Sequence, residues 1–488
     1  MIYITPYNET HVLIDGDEST LRSLSDAFRF HVPGYKFMPA YRKGMWDGYI
    51  RLFNRTTKLI YKGLIFRVEN WAVKHDYKVT KDPSLKIEPT ITLEQADKFY
   101  DSLGLPKHFE KRDYQVEAFM GAINNQRDTI ISPTGSGKSL IIYLMYRWLD
   151  IKTLLIVPNL NLIHQMAGDL KEYGYTDDIH LVYAGQEKDT DKQLTVSTWQ
   201  SIFKMDRNWL NQFDCVIVDE VHGAKAKALT GIMEKMSDVK YRFGTTGTLD
   251  GTETNELVIE GLFGPKHQVK TTAELIEDKT LAKLNIKSLI IKWPEELAKV
   301  INGLDYPDEV NAIVTNKQRN DLIVKMVCAI PGNNLVMVNL IKKHGDPLVE
   351  MFQEATDRPV LYIKGAIKGE VRDEIRKSIE GYDNAIIVAS TKAFATGSNV
   401  KKLNNIFFTS PSKSRITVLQ SIGRVLRTTD TKMKATLYDF SDDISTLRKS
   451  GKSKYNFSMM HFFERIKMYK SEKHNFKVHY INLPKSDA

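Results

Sequence analysis

Apolar residues along this chain fall into distinct regimes. Over roughly the first 95 positions they come in short, mixed runs. Val12-Leu13-Ile14 reads as a strand. Leu21, Leu24, Ala27 and Phe28 then recur at a helical period, behind Ser19 or Thr20 placed to cap the turn. Stretches around 49–53, 59–68 and 71–79 read as strands, and Pro83 and Pro89 mark an exit. Together these predict a small α+β domain over residues 1–95.

From about residue 96 the pattern changes to short runs that are apolar on both faces. They lie at 129–131, 153–157 and 216–218, with helical periods between them. Such strands belong to a parallel sheet covered by helices on two sides. Gly264-Pro265 reads as a joint, and the alternation resumes at 335–338, 360–363, 385–388 and 406–408. The predicted class is α/β, with one parallel-sheet lobe at 96–263 and a second at 264–445. Residues 446–488, with ten Lys or Arg, are expected to form a basic tail.

Composition narrows the setting. The 488 residues carry a formal net charge of +9, which suits a polyanionic partner. Two cysteines, Cys215 and Cys328, lie in apolar runs and read as buried thiols in a reducing compartment. They exclude a disulfide scaffold and a cysteine-based zinc site. The N-terminus lacks the charged flank and apolar core of a signal peptide, and no run approaches a membrane span. The expectation is a cytoplasmic protein without a membrane partner.

The chemistry starts at Ser132-Pro133-Thr134-Gly135-Ser136-Gly137-Lys138-Ser139, a glycine-rich turn between a strand and a helix. Backbone N–H groups of such a turn converge on phosphates, and the helix N-terminus favours their charge. Lys138 suits the β- and γ-phosphates, and the Ser139 hydroxyl suits Mg²⁺. Asp219 and Glu220 end the apolar strand 216–218, the end at which open α/β sheets place their chemistry. Asp219 can hold Mg²⁺, and Glu220 can orient and deprotonate water. Far downstream, Gln420, Arg424 and Arg427 share a helix face; both arginines can reach a γ-phosphate from a second lobe. A cradle on one lobe and arginines on the other predict a motor that opens and closes with each ATP.

These segments together resemble superfamily 2 helicases of the DExH type. Arg112-Asp113-Tyr114-Gln115 resembles the adenine-recognising motif, which assigns Arg112 and Gln115 to the nucleotide with Pro133, Thr134, Gly135, Ser136 and Gly137. Asn159 through Gln165 resembles motif Ia, and Thr198-Trp199-Gln200-Ser201 the next strand-contacting motif. Gly244-Thr245-Thr246-Gly247-Thr248 resembles motif III, and Met337-Val338-Asn339 falls where motif IV is expected. Ala389 through Val400 resembles motif V, which brings Gly397 to the nucleotide. Ser132, Gly247, Leu249 and Asn399 depart from the usual residues. The resemblance implies two tandem RecA-like lobes, ATP and Mg²⁺ as cofactors, and a monomeric motor.

At finer grain the chain resembles the recombination helicases of T-even phages. That likeness implies host-cell cytoplasm and a branched-DNA substrate: fork regression, branch migration of Holliday junctions, and R-loop unwinding. It also allows single-strand-binding or recombination proteins as partners. Candidate DNA contacts are Asn159, His164, Gln165, Thr198 and Gln200 in the first lobe, and Lys364, Thr391 and Lys392 in the second. Residues 29–62 add eight basic residues against one acid, with aromatics interleaved, and supply Arg42, Lys43, Arg51 and Arg55. These aromatics fit either a domain core or a stacking surface. Removing residues 1–90 is expected to spare DNA-stimulated hydrolysis and weaken fork binding. Two other readings fit the same motifs: the duplex-translocating motor of a restriction system, and an ATP-gated clamp or annealing factor.

Overall fold

The computed structural model describes residues 1–484 apart from 33, 223–225, 249–252, 365–377, 380, 392–401, 412–417, 420, 424–425, 427–433 and 448–452. It divides into two compact units, Met1–Pro133 with Gly137–Lys270, and Thr271–Ala488 with Thr134–Ser136.

The first unit opens with a mixed sheet. Strands β1 (Ile2–Pro6), β2 (His11–Gly16), β5 (Leu59–Tyr61) and β6 (Val79–Lys81) lie in the order β5-β2-β1-β6, and β3 (Arg29–His31) pairs β4 (Tyr49–Arg51) separately. The helix Glu18–Ala27 is capped by Asp17, whose carboxylate accepts from the Thr20 N–H. Of the stretches expected as strands over 59–68 and 71–79, Leu59–Tyr61 and Val79 are strand, whereas Ile65–Lys74 is helix. The β-branched residues there suggest a strand, but Val68 and Ala72, four apart, are the buried face. The aromatics divide. Phe30, Phe53 and Tyr61 are buried, whereas Tyr35, Phe37, Tyr41, Trp46 and Tyr49 stay partly or fully exposed.

A seven-stranded parallel sheet completes this unit. Its strands are β7 (Arg127–Ile131), β8 (Thr153–Val157), β9 (Ile179–Val182), β10 (Leu194–Thr198), β11 (Cys215–Asp219), β12 (Tyr241–Thr246) and β13 (Lys266–Gln268). They lie in the order β13-β7-β12-β11-β8-β10-β9. Thr153–Val157 and Cys215–Asp219 are buried at every position, as their two-sided apolar runs require.

The small domain shares its core with this lobe. One apolar cluster runs from Ile4, Val12 and Leu24 through Tyr61 and Leu64 to Val218, Met233 and Phe263. Polar contacts seal the joint. Arg242, fully buried on β12, donates to the Thr10 hydroxyl at 2.8 Å and to the Val239 carbonyl at 3.1 Å. Arg127 on β7 donates to the Glu9 carbonyl and carboxylate at 3.0 and 3.1 Å, and Lys62 reaches the same carboxylate at 2.7 Å. Arg67 forks onto buried Glu260 at 2.6 and 2.9 Å. Gly63 permits the approach, since a Cβ there would lie 2.1 Å from the Glu260 carbonyl oxygen.

The second unit holds another seven-stranded parallel sheet. Its strands are β14 (Lys283–Lys292), β15 (Asn334–Val338), β16 (Val360–Ile363), β17 (Ile386–Ser390), β18 (Asn405–Phe408) and β19 (Lys434–Asp443). The short pair β20 (Thr446–Leu447) and β21 (Ser453–Lys454) stands apart, and β22 (Phe476–Asn482) joins the large sheet. The order is β16-β17-β15-β18-β19-β14-β22. The stretch expected as a basic tail is therefore partly built into the sheet. Its helix Phe457–Ser471 buries Met459, Phe462, Met468 and Tyr469. Arg465 on that helix is buried too, with its guanidinium 2.9 Å from Asp439 on β19. These are two RecA-like lobes, the first carrying the small N-terminal domain.

Candidate nucleotide site and nucleic-acid face

The glycine-rich turn leaves the C-terminal end of β7 and enters the helix Lys138–Leu149. Gly135 and Gly137 have φ of +90° and +82°, where a side chain would be strained. Gln115 packs against this turn, and a Cβ at Gly137 would stand 2.1 Å from its Nε2. Arg112 donates to the Tyr114 hydroxyl at 3.0 Å, and the Lys270 ammonium lies 5.2 Å from the Tyr114 ring centre.

Lys138 extends across to the end of β11. Its Nζ lies 2.8 Å from Asp219 Oδ1 and 2.5 Å from Glu220 Oε1. Burial alone would pull this ammonium down, but the two carboxylates outweigh it and hold it above its ordinary value. Glu220 adopts a φ of +51°, an uncommon conformation for a residue with a side chain, and its own N–H donates to Asp219 at 2.9 Å. The strained turn directs both carboxylates toward Lys138.

Motif III lies on the neighbouring strand. The Thr245 hydroxyl donates to Asp219 Oδ1 at 2.8 Å, and the Thr246 hydroxyl lies 3.4 Å from Glu220 Oε2. His222 Nδ1 contacts the Thr246 hydroxyl and stands 3.2 Å from Glu220. Ser139 has a contact that the sequence does not signal. Its hydroxyl is 2.8 Å from that of Tyr173, thirty-four residues on at the end of another helix. Ser139 and Asp219 supply hard oxygen donors of the kind a magnesium–nucleotide complex takes.

The nucleic-acid candidates of the first lobe lie beyond adjacent strands. Gln200, past β10, donates to the Pro158 carbonyl, past β8, at 3.2 Å. Asn159 caps the helix Leu160–Glu172 by accepting from the Leu162 N–H at 3.1 Å. Thr198 is buried and its hydroxyl meets that of Ser201 at 2.9 Å. His164 is exposed and Gln165 half-buried on that capped helix. In the second unit, Thr391 donates to Asn339 Oδ1 at 2.6 Å, which joins the motif IV and motif V segments. Lys364 pairs with Asp346 at 3.0 Å. Lys392, Gly397, Gln420, Arg424 and Arg427 lie outside the described residues.

On the N-terminal domain, Arg42 and Lys43 are exposed; Arg51 pairs with Asp47, and Arg55 with Glu18. Arg51 and Arg55 join Arg22 and Arg29 around an open polar cavity of about 640 Å³. Arg22 was not singled out from sequence. Its signal is its place on the exposed face of the amphipathic helix Glu18–Ala27.

Comparison with known proteins follows this layout. Residues 2–82 match the family model "DNA helicase UvsW, N-terminal", residues 108–251 "Type III restriction enzyme, res subunit", and residues 318–429 "Helicase conserved C-terminal domain". The chain is 32% identical to the ATP-dependent DNA helicase uvsW of Enterobacteria phage T4 over 97% of its own length and 98% of that protein. The crystal structure of T4 UvsW superposes with a TM-score of 0.52 at 30% identity, covering 99% of this chain and all of that one. The DNA 3'-5' translocase XPB2 of Sulfurisphaera tokodaii is 30% identical over 43% of this chain and 48% of its own. The chain therefore belongs to the family of the phage T4 helicase uvsW and is an ATP-dependent DNA helicase of superfamily 2.

Proposed function

We propose that this helicase remodels branched DNA, regressing forks, migrating Holliday junctions and clearing R-loops. The observation that carries this reading is the likeness to the phage helicase along the whole chain, N-terminal domain included. That domain presents an arginine-lined cavity and is packed onto the motor lobe itself. A backbone-holding surface fixed to a motor suits a substrate with more than one duplex arm. The proposed setting is the host-cell cytoplasm, with the motor acting as a monomer alongside single-strand-binding or recombination proteins. Among the described residues, no helix is long and apolar enough to cross a membrane.

The proposed chemistry is in-line attack of water on the γ-phosphate. Lys138 would leave Asp219 and Glu220 for the β- and γ-phosphates. Glu220 would then lose the charge that holds its carboxyl down while keeping its burial, and so become a better proton acceptor for the attacking water. Ser139 and Asp219 are the residues that would hold Mg²⁺, which neutralises phosphate charge when bound. Gln115, Arg112 and the backbone from Pro133 to Gly137 would seat the nucleotide, with Gly397 from the second lobe. Gln420, Arg424 and Arg427 are proposed to stabilise charge growing on the γ-phosphate. Asn159, His164, Gln165, Thr198, Gln200, Lys364, Thr391 and Lys392 are proposed to follow a DNA backbone. Arg42, Lys43, Arg51 and Arg55 are proposed to hold a duplex arm.

The test compares ATP hydrolysis and strand exchange on forks, Holliday junctions, RNA–DNA hybrids and linear duplex. Preference for branched substrates is expected. Equal action on linear duplex without strand separation would favour the translocating motor of a restriction system. Binding without any remodelling would favour a clamp.

A further inference from the structure

The N-terminal domain carries an exposed tip around Arg42 and Lys43. β3 and β4 form a short antiparallel ribbon with Arg29 opposite Arg51 and His31 opposite Tyr49. The Val32 N–H donates to the Gly48 carbonyl at 3.0 Å and extends it by one rung. Two short helical turns, Tyr35–Phe37 and Pro39–Arg42, form the tip, and neither contains a buried residue.

The tip is nonetheless braced. The His31 ring is stacked between Tyr35, at 4.0 Å, and Tyr49, at 3.8 Å. Tyr41 meets Tyr35 edge-on at 4.8 Å, and the Trp46 indole N–H donates to the Tyr49 carbonyl at 2.8 Å. Arg42 donates to the Lys36 carbonyl at 3.4 Å and ties the two turns together. These rings are used to stiffen the stem. The apolar side chains left over point outward: Phe37 is 76% exposed, Met45 77% and Met38 37%.

A single exposed apolar side chain needs no explanation, but three on one braced tip indicate a partner. Charge selects which partner. Lys36, Arg42 and Lys43 flank the apolar residues, and the acid of this segment, Asp47, is held by Arg51. Apolar side chains that enter a base step while neighbouring cations hold phosphates are a recurrent way of opening stacked DNA.

The geometry points to a wedge. Phe37, with Met38 and Met45, stacks against the last base pair at a DNA branch point, and Lys36, Arg42 and Lys43 hold the flanking phosphates. This rests on the branched-DNA reading and names the part of the substrate that the domain touches. Because the domain is packed onto the first lobe, the wedge is fixed to the lobe that carries the phosphate turn.

The test uses the full chain and a fork with 2-aminopurine at the branch point, without nucleotide. Wild-type protein is expected to raise the base's fluorescence as it binds. The doubly substituted Phe37→Ser, Met45→Ser protein is expected to lose that rise and to separate strands roughly tenfold more slowly. Its hydrolysis stimulated by single-stranded DNA is expected to stay within about twofold, since both side chains are exposed and far from the nucleotide in sequence. Phe37→Trp keeps a stacking face and is expected to retain the signal. A fork-preferring wild type whose signal survives the double substitution overturns the wedge and leaves the tip as a protein-docking surface. A wild type that binds forks no better than linear duplex overturns the branched-DNA reading itself.

Discussion

The Thr245 hydroxyl donates to the Asp219 carboxylate at 2.8 Å, joining motif III to the acidic end of β11 across adjacent strands. Thr246 and His222 make a second link to Glu220. Any displacement of the two carboxylates is therefore felt on β12.

Thr245→Val keeps the volume and removes this link. A hydrogen bond to a charged group contributes about 1.5–3 kcal/mol. Hydrolysis is expected to fall by roughly threefold and strand separation per ATP by about tenfold. Parallel losses in the two assays would show that Thr245 serves hydrolysis alone.

Glu220 sets a pH signature for the nucleotide-free protein. Burial alone would raise its carboxyl, but Lys138 and then His222 outweigh burial and lower it from 4.5 to about 2. A carboxyl lowered on folding stabilises the fold above its unfolded value, and that contribution is lost as pH falls toward the folded value. The difference in Tm between wild type and Glu220→Gln is thus expected to be constant above about pH 5 and to shrink below it. Melting curves from pH 2 to 8 measure this, and a gap independent of pH would contradict it.

Tyr173 holds the hydroxyl that is proposed to take Mg²⁺. Tyr173→Phe keeps the ring against Tyr143 and removes one hydrogen bond. The Mg²⁺ concentration for half-maximal hydrolysis is expected to fall by about two- to fivefold, with kcat little changed. Titration of Mg²⁺ at saturating ATP checks it.

The joint between the small domain and the first lobe is expected to be structural. Gly63→Ala would drive a Cβ into the Glu260 and Gly261 carbonyls and cost about 1–3 kcal/mol by overpacking. Denaturant unfolding measures this. Removing residues 1–90 would strand Arg127, take the Thr10 hydroxyl from Arg242 and uncover the apolar face around Phe263 and Met233. The truncated chain is expected to aggregate, contrary to the expectation that it retains DNA-stimulated hydrolysis. A soluble truncation with full ATPase would show that the lobe folds alone.

Legibility from sequence followed burial. Two-sided apolar strands such as 153–157 and 216–218 announce themselves, because nothing polar interrupts Leu154–Val157 or Val216–Val218. The glycine-rich turn after β7 is equally plain, because its positive φ values call for glycine at Gly135 and Gly137. Arg127, Arg242 and Arg465 were not legible. Each looks like a surface charge until a carbonyl, hydroxyl or carboxylate from a remote segment satisfies it. The helix Ile65–Lys74 was hidden by β-branched residues that suit either element, and burial of Val68 and Ala72 decides it. Tyr173 meets Ser139 only through the packing of two helices, which no local pattern encodes.

Arg127 and Arg242 lie at the near ends of β7 and β12, whose far ends carry the phosphate turn and the motif III threonines. A strand of five or six residues is only about 17–20 Å long and stretches little. Force met by the small domain would run straight along these two struts to the proposed nucleotide site. The appendage is in that sense a chassis member, and stalling it should stall the engine.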